Sequence, residues 1–174
     1  MEIEVKFKVS SLKEVEGRLK ELGAVLKETE VEEDVYYQHP CKDFKLTDEA
    51  LRLRCTLKIC ELTYKGPRAP GKLKAREEIT VKVEDFKKMD FILKRLGFSK
   101  VAVIRKTRKK YVLENREICL DEVEGLGEFV EVELLVEKSL REAEKELLDF
   151  ARKLGISGEP ITKSYLELLL ERGT

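Results

Sequence analysis

The sequence has few of the residues on which many catalytic and metal sites depend. Its 174 residues include one histidine, His39, and no tryptophan. A single imidazole disfavours acid/base catalysis by histidine. The four cysteines form no Cys-x-x-Cys pair, so a zinc site from His39, Cys41, Cys55 and Cys60 stays open but matches no usual spacing. We expect Cys41, Cys55, Cys60 and Cys119 to be small buried hydrophobic residues, with a Cys41–Cys60 disulfide as the alternative in a hyperthermophile.

Long apolar runs and side-chain amides are also scarce. No apolar run is long enough to span a bilayer and no signal-peptide pattern precedes the first strand, so we expect a cytoplasmic protein. Asn115 and Gln38 are the only amides, whereas 40% of residues are charged, a composition typical of thermophiles. Basic and acidic residues number 35 each, which disfavours a generic nucleic-acid coat and still permits a local basic site.

A strand followed by a helix recurs three times, at residues 2–23, 78–97 and 128–155. Each unit begins with polar/apolar alternation, which predicts a strand with one buried face. A residue that can cap a helix follows, and a helical pattern then ends at a glycine able to adopt positive φ. The caps are Ser11, Asp85 and Ser139, and the glycines are Gly23, Gly97 and Gly155. A fourth, short helix is predicted over residues 164–172.

Five further strands are predicted, at about 25–37, 50–56, 59–65, 99–114 and 116–122. The short connections between them suit hairpins, so the eight strands should form a mainly antiparallel sheet. The segment GPRAPGK, residues 66–72, predicts a flexible basic loop. No linker divides the chain, and we predict one α+β domain over residues 1–174.

Charged side chains share one face of nearly every predicted strand, because residues i and i+2 point the same way. The apolar face, which includes Ile79 and Val81, should meet the helices. Basic and acidic residues are segregated by strand, as in Arg52/Arg54 against Glu131/Glu133. Two cations about 7 Å apart repel by roughly 2 kcal/mol at an effective dielectric constant near 20. The charged face is either solvated on an open sheet or lines the interior of a closed one that binds a dense anion.

Several motifs resemble those of the CYTH superfamily of triphosphate tunnel metalloenzymes, nearest its class IV adenylyl cyclase branch. They are Glu2-x-Glu4-x-Lys6, DVYYQHPCKDFKLTDEALRLR at 34–54, LTYKGP at 62–67, REEITVKV at 76–83, RKTRKKY at 105–111 and LDEVEGLGEFVEVE at 120–133. The resemblance covers essentially the whole chain. It implies a closed eight-stranded antiparallel β-barrel, a tunnel, with helices packed on the outside.

The resemblance also implies residue roles. Glu2, Glu4, Glu131 and Glu133 would bind a divalent metal, Mg²⁺ or Mn²⁺, for which hard carboxylate oxygens are suitable. The triphosphate would be held by Lys6, Arg52, Arg54, Lys65, Arg76, Lys106 and Arg108. Lys65, Asp121 and Glu78 would be the catalytic residues. Lys65 matches the family's phosphate-binding lysine, and Asp121 and Glu78 would orient basic side chains or assist the metal.

The expected function is therefore conversion of ATP to cyclic AMP and pyrophosphate. Hydrolysis of tripolyphosphate, nucleoside triphosphates or thiamine triphosphate uses the same tunnel and is the alternative. A non-catalytic nucleotide- or polyphosphate-binding module is the third possibility. We expect ATP or another small triphosphate as the ligand, no double-stranded nucleic acid, no membrane association, and a monomer or homodimer.

Overall fold

The structure, a computed structural model, describes residues 2–68, 76–135 and 140–173, with side chains except at 2, 3, 135, 140 and 141. The strands are β1 Glu2–Val9, β2 Val25–Gln38, β3 Ala50–Cys55, β4 Cys60–Arg68, β5 Arg76–Val83, β6 Ser99–Leu113, β7 Arg116–Val123 and β8 Gly127–Leu135. The helices are α1 Leu12–Glu21, α2 Phe86–Arg95, α3 Leu140–Lys153 and α4 Tyr165–Arg172. The predicted eight strands and the α+β class are confirmed.

The helix boundaries follow the predicted local signals. The Ser11 hydroxyl accepts a hydrogen bond from the backbone of the first turn of α1, and Asp85 does the same for α2. The glycines after α1, α2 and α3 have positive φ values of 86°, 93° and 75°, at Gly23, Gly97 and Gly155. The predicted cap Ser139 lies outside the described residues, as do residues 69–72 of the predicted basic loop.

The eight strands form one sheet in the order β1-β8-β7-β6-β2-β3-β4-β5. Every neighbouring pair is antiparallel. The first strand of the chain therefore lies beside the last one, and β2 lies between β3 and β6. This order determines which charged strands face one another.

The closed barrel predicted for this sheet is not confirmed, because β1 and β5 do not pair over their described residues. The outer edge of β1 is occupied by the segment that precedes α4. There the Ile161 amide donates to the Lys6 carbonyl at 2.7 Å. The same segment reaches the other end of the sheet, where the Arg68 guanidinium donates to the Thr162 carbonyl at 3.2 Å. The C-terminal segment thus contacts the backbone of the edge strand β1 and the Arg68 side chain of β4, the neighbour of the edge strand β5.

Helices α1 and α3 cover the apolar face of β1, β7 and β8, where Phe7, Leu19 and Leu147 are at most 1% exposed. Helix α2 covers β3 and its neighbours through Leu93. Helix α4 differs from the prediction of helices on the outside only. Its Tyr165 packs with Tyr36, Ala50 and Ile104, residues that share a strand face with the charged positions. One end of the charged face is therefore closed by an apolar cluster.

The prediction that β5 faces a helix is wrong for two residues. Ile79 and Val81 are 55% and 53% exposed, and on this face of β5 only Val83 packs in the apolar cluster beneath α2. Among the described helices, none has the length and apolar character needed to cross a membrane.

The cysteine predictions need correction. Cys55 and Cys60 are directly opposite in the β3–β4 hairpin and form a disulfide, so the Cys41–Cys60 pairing is wrong. Cys41 is exposed and only Cys119 is a buried thiol. A zinc site from His39 and the cysteines is contradicted, since two of its four ligands are joined in the disulfide.

Candidate functional site

A cavity of about 810 Å³ lies on the charged face of the sheet. Most residues predicted to form the site line it: Glu4, Lys6, Arg52, Arg54, Lys65, Arg76, Glu78, Lys106, Arg108, Glu131 and Glu133. Asp121 does not line the cavity but lies fully buried behind Arg108. The Glu2 side chain lies outside the described residues. The cavity also takes in residues without a predicted role, above all Asp34, Tyr36, Arg68 and Tyr165.

The two acidic motifs from opposite ends of the chain meet because β1 pairs with β8. In this register Glu4 is directly opposite Glu133, and Lys6 is directly opposite Glu131. Directly opposite residues on one face have Cβ atoms about 5 Å apart. Glu4, Glu131 and Glu133 therefore extend into one part of the cavity, although Glu4 is more than a hundred positions from the other two in the sequence.

Five of the seven predicted phosphate-binding cations are directly opposite a carboxylate on a neighbouring strand. These cross-strand pairs are Lys6–Glu131, Arg54–Asp34, Lys65–Glu78, Lys106–Glu32 and Arg108–Asp121. Their shortest nitrogen–oxygen distances are 3.1, 2.6, 2.6, 3.1 and 2.5 Å, respectively. The cations are thus largely compensated, and the repulsion expected from the sequence is much reduced.

The Arg54 guanidinium is held in place by β2. Its Nε and Nη2 donate to the two Asp34 oxygens at 2.6 and 2.7 Å, and Glu32 lies 3.1 Å from Nη1. Burial acts to raise the pKa of Asp34, but the Arg54 hydrogen bonds and charge prevail and lower it to about 2. Glu32 also contacts Lys106, so one acid orients cations from the strands on both sides of β2.

Arg108 is held in the same way by β7 and β8. Its Nε and Nη2 donate to the two oxygens of Asp121 at 2.7 and 2.5 Å, and Nη2 also contacts Glu131. Burial acts against the Arg108 charge, but Glu131 and Asp121 raise its pKa well above the ordinary value. The Tyr165 hydroxyl donates to Asp121 at 2.7 Å, and the Lys6 ammonium lies 3.9 Å from the Tyr165 ring centre. Helix α4 is therefore bound directly to the charged network.

Arg52 is less compensated than the five paired cations, and its charge acts on Lys65. Arg52 is opposite Tyr36 and Thr63, so neither neighbouring strand gives it a directly opposite carboxylate. Its Nε is buried without a hydrogen-bond partner among the described residues. Burial, and then the Arg52 charge, lower the pKa of Lys65 to about 8, although Glu78 partly opposes this. An anion bound here would offset positive charge that the protein does not itself neutralise.

Arg76 lies at the rim of the cavity and differs from the other cations in its partners. Its Nε and Nη2 each donate at 2.7 Å, to the carbonyls of Gly66 and Asp48. Burial lowers its pKa from the ordinary arginine value. Backbone carbonyls leave its charge unneutralised, so Arg76 still adds positive potential at the rim.

The acids of β2 were the main residues without a predicted role. Glu32, Asp34 and Tyr36 alternate along one strand face, and the period-two pattern used for the other strands would have identified them. Arg68 belongs to the predicted basic loop, which was given no role in the site. Tyr165 had no strand pattern to identify it, because it lies in the predicted short helix, and the packing of α4 places it in the cavity.

The donor set on β1 and β8 fits a hard divalent cation. Glu4, Glu131 and Glu133 provide only oxygen ligands from two adjacent strands, which suits Mg²⁺-like ions that also keep water and substrate ligands. Among the described side chains, no three acidic, histidine or cysteine groups are already gathered at coordination spacing. One reason is that Glu131 is held by Lys6 and Arg108.

Comparisons with known proteins agree with this geometry. A Methanocaldococcus jannaschii protein named as a candidate adenylate cyclase is 42% identical over 97% of this chain and 98% of its own length. A solved Pyrococcus horikoshii OT3 protein is 43% identical with a TM-score of 0.89, covering 99% of both chains. A Hippeastrum candidate adenylyl cyclase, described as having a dominant triphosphatase activity, shares the fold at 21% identity and a TM-score of 0.75, covering 100% of this chain and 97% of its own.

The family model described as the CYTH domain matches residues 1–165. Membership implies a divalent-metal cofactor, in agreement with the oxygen donors on β1 and β8. The chain belongs to the CYTH domain family.

Proposed function

We propose that this chain is a metal-dependent enzyme that processes triphosphates, with conversion of ATP to cyclic AMP and pyrophosphate as its reaction. The observation that carries the proposal is the cavity itself. It combines cations oriented from five strands with the facing glutamates of β1 and β8. Arginine forks and lysine ammonium groups of this kind bind phosphate oxygens and offset the charge that develops in phosphoryl transfer.

The basic residues would bind the phosphate chain along β3, β4 and β6. Arg54 and Arg108 are pre-oriented by bidentate carboxylates, so little side-chain entropy is lost when they bind an anion. Arg52 would gain a partner for its buried Nε. Lys65 would donate to a phosphate oxygen in its charged form, and its pKa of about 8 lets it exchange a proton near neutral pH.

Glu4, Glu131 and Glu133, with Glu2 as a further ligand, would hold Mg²⁺ or Mn²⁺. When bound, such an ion neutralises phosphate charge and lowers the pKa of an attacking hydroxyl or water. Anion binding to Lys6 and Arg108 would release Glu131 from these cations, so phosphate and metal binding should support each other. Asp121, fully buried behind Arg108, acts as a positioning residue in this scheme. Glu78 does the same for Lys65.

The phosphate cavity would work as a tunnel although β1 and β5 do not pair. The segment before α4 bonds to β1 at Lys6 and to the Arg68 side chain of β4, so it would form part of the wall beside the β1 edge. The cations point into this enclosed space and not onto an outer surface, which makes a nucleic-acid duplex a poor ligand.

Triphosphatase activity is the second candidate. The residues that bind the phosphate chain are common to both reactions, which differ in the nucleophile. In the cyclase the ribose 3′-hydroxyl oxygen attacks the α-phosphorus and pyrophosphate leaves. In the triphosphatase water attacks the terminal phosphorus, which becomes orthophosphate, and ADP leaves from ATP or pyrophosphate from tripolyphosphate. A purely binding module is less well supported, because the acidic pairs of β1 and β8 both remain.

Product analysis distinguishes the candidates. Pure protein is incubated with Mg²⁺ or Mn²⁺ and either ATP or tripolyphosphate, and the products are separated by chromatography. Cyclic AMP with pyrophosphate supports the cyclase, and ADP or orthophosphate supports the triphosphatase. An Arg52→Gln, Lys65→Met double variant should lose either activity. Absence of any product from all substrates with both metals would refute an enzymatic function.

A further inference from the structure

Strand β5 is an exposed edge of the sheet. Among the described residues, no strand pairs with its outer side. Residues 77–82 are all exposed, and Ile79 and Val81 place two large apolar side chains in contact with solvent, at 55% and 53% exposure. A long edge strand with exposed apolar residues is a template for pairing with another strand, which soluble monomers normally avoid. This edge therefore has the character of an interface.

The apolar surface continues from β5 onto α2. Ile92 and Leu96 are 50% and 65% exposed and lie four residues apart, so they share one side of the helix. On the helix they lie on the other side of the buried Leu93 from Asp90, which accepts a hydrogen bond from Tyr37 of β2. Ile92 and Leu96 therefore face the β4 and β5 side of the sheet and extend the exposed apolar surface.

The outer side of β5 presents the backbone groups of Glu78, Thr80 and Lys82. The Thr56 amide donates to the Ile59 carbonyl at 2.8 Å, which makes these two residues a hydrogen-bonded pair of the β3–β4 hairpin. In an antiparallel sheet hydrogen-bonded and non-hydrogen-bonded pairs alternate, so each residue directs its amide and carbonyl to one side only. Followed through the β3–β4 and β4–β5 registers, this alternation directs the backbone groups of the odd-numbered residues of β5 toward β4 and those of residues 78, 80 and 82 outward.

The side chains of β5 are complementary to those of a second, antiparallel copy of the same strand. When the two-fold axis lies at Thr80, Glu78 is directly opposite Lys82 of the second copy, and Ile79 is directly opposite Val81. Opposite charges and apolar pairs in directly opposite positions both stabilise strand pairing. In this register the outward backbone groups of the two strands also meet in hydrogen-bonded pairs.

The neighbouring registers place like charges opposite one another. An axis at Ile79 would place Arg76 opposite Lys82, and an axis at Val81 would place Glu78 opposite Glu84. An axis at Glu78 or at Lys82 would place that residue opposite itself. The charges of the strand therefore select the register that is centred on Thr80.

We propose that the chain forms a homodimer in which β5 pairs with β5 of a second copy, antiparallel and centred on Thr80. The two sheets become one continuous sheet, joined by about six backbone hydrogen bonds, and the pairing covers Ile79 and Val81. Lys82 of the second copy approaches Glu78, the partner of Lys65, so each copy adds a cation at the rim of the other copy's phosphate cavity. Because pairing is independent of turnover, its test needs no substrate.

Sedimentation velocity over the micromolar range of protein concentration measures the oligomeric state. The wild type should reach twice the chain mass of 20.2 kDa. Val81→Lys should weaken dimerisation by about tenfold or more, because the pair of Val81 with Ile79 occurs twice in a two-fold dimer. Phe91→Lys is the matched control. Phe91 is 58% exposed on the solvent side of α2, opposite Leu93, and its replacement should leave the dimer unchanged.

Charge reversal tests the register itself. Lys82→Glu would place two acids opposite each other at both ends of the pairing, and Glu78→Lys would place two cations there, so each variant alone should dimerise about tenfold more weakly or worse. In an equimolar mixture of the two variants, opposite charges face each other again at both positions. The mixture should therefore form a heterodimer with an affinity close to that of the wild type.

Each outcome bears on the dimer. A wild type that stays monomeric throughout, or a dimer that Val81→Lys leaves intact, would overturn the proposal. Failure of the mixture to recover dimers, with both reversal variants folded by circular dichroism, would overturn it as well. Val81→Lys changes an exposed side chain, so it still decides the question if a reversal variant does not fold. Loss of the dimer in Val81→Lys alone, its retention in Phe91→Lys and its recovery in the mixture would establish the β5 interface.

Discussion

Replacing Asp121 by asparagine tests whether the buried charge network is organised as the structure indicates. Asp121 is 0% exposed and both of its oxygens bind Arg108. Asp121→Asn keeps the shape of the side chain but removes its charge. Arg108, Lys106 and the Tyr165 hydroxyl would all lose an anionic partner.

The expected loss follows from the remaining partners. Breaking a buried ion pair by removing one member costs about 3–5 kcal/mol. We expect the lower end, about 3 kcal/mol, because Glu131 still pairs with Arg108 and Glu32 still pairs with Lys106. For a domain of this size each kcal/mol lowers the melting temperature by about 2–4 °C, so the expected decrease is roughly 10 °C. Little of it should be lost in high salt, which screens buried charges poorly.

Thermal melts in the absence and presence of tripolyphosphate provide the assay. The anion would supply the negative charge that Asp121→Asn removes, so its stabilising effect should be larger for the variant than for the wild type. Glu122→Gln is the control, because it neutralises the adjacent, exposed carboxylate of the same strand. If Asp121→Asn melted within about 2 °C of Glu122→Gln, Asp121 would not be the buried counter-ion described above.

Three further predictions concern the same cavity. Glu133→Ala should lower metal-dependent turnover at least a hundredfold with little change in melting temperature. Glu131→Ala should lower turnover as well and should also destabilise the protein, because Lys6 and Arg108 lose a partner. Loss of folding in both variants would make these acids structural. Tripolyphosphate at a hundredfold excess over its dissociation constant should stabilise the protein by about 2.7 kcal/mol, which raises the melting temperature by roughly 5–10 °C. Orthophosphate and pyrophosphate should raise it by less. Equal shifts of the melting temperature at matched ionic strength would indicate nonspecific screening. Tripolyphosphate affinity should fall as the pH rises through about 8, where Lys65 loses its proton, and Lys65→Arg should remove this decrease. If the pH profile of affinity were unchanged in that variant, another group would be responsible for the titration.

The sequence predicted local structure well because the relevant signals are local. Alternation with a period of two determines which residues share a strand face, so Arg52 and Arg54 could be grouped without knowledge of their neighbours. Caps such as Ser11 and helix-ending glycines such as Gly23 act within a few residues of their own position. All eight strands and the four helices could therefore be placed within a few residues, and the CYTH family membership was confirmed.

The roles of individual site residues stay predictions, but their arrangement reveals what the sequence pattern could not contain. The expectation of repulsion between neighbouring cations came from counting basic positions strand by strand. It overlooked that the acids of β2, Glu32 and Asp34, lie between the basic strands β3 and β6. Strand order and register are non-local, so a charge count within one strand cannot give the balance of charges across several.

Taken alone, the sequence determined the identity of the charged face, because side-chain direction in a strand depends only on the local backbone. Tertiary structure decided which acid meets which cation, since pairing β1 with β8 brings Lys6 to Glu131. It also decided that the described residues of β1 and β5 do not pair and that α4 packs at one end of the charged face. The physical reason is that the C-terminal segment forms a backbone hydrogen bond with the β1 edge. At the same end of the sheet, Tyr165 packs in an apolar cluster and donates a hydrogen bond to the buried Asp121 carboxylate.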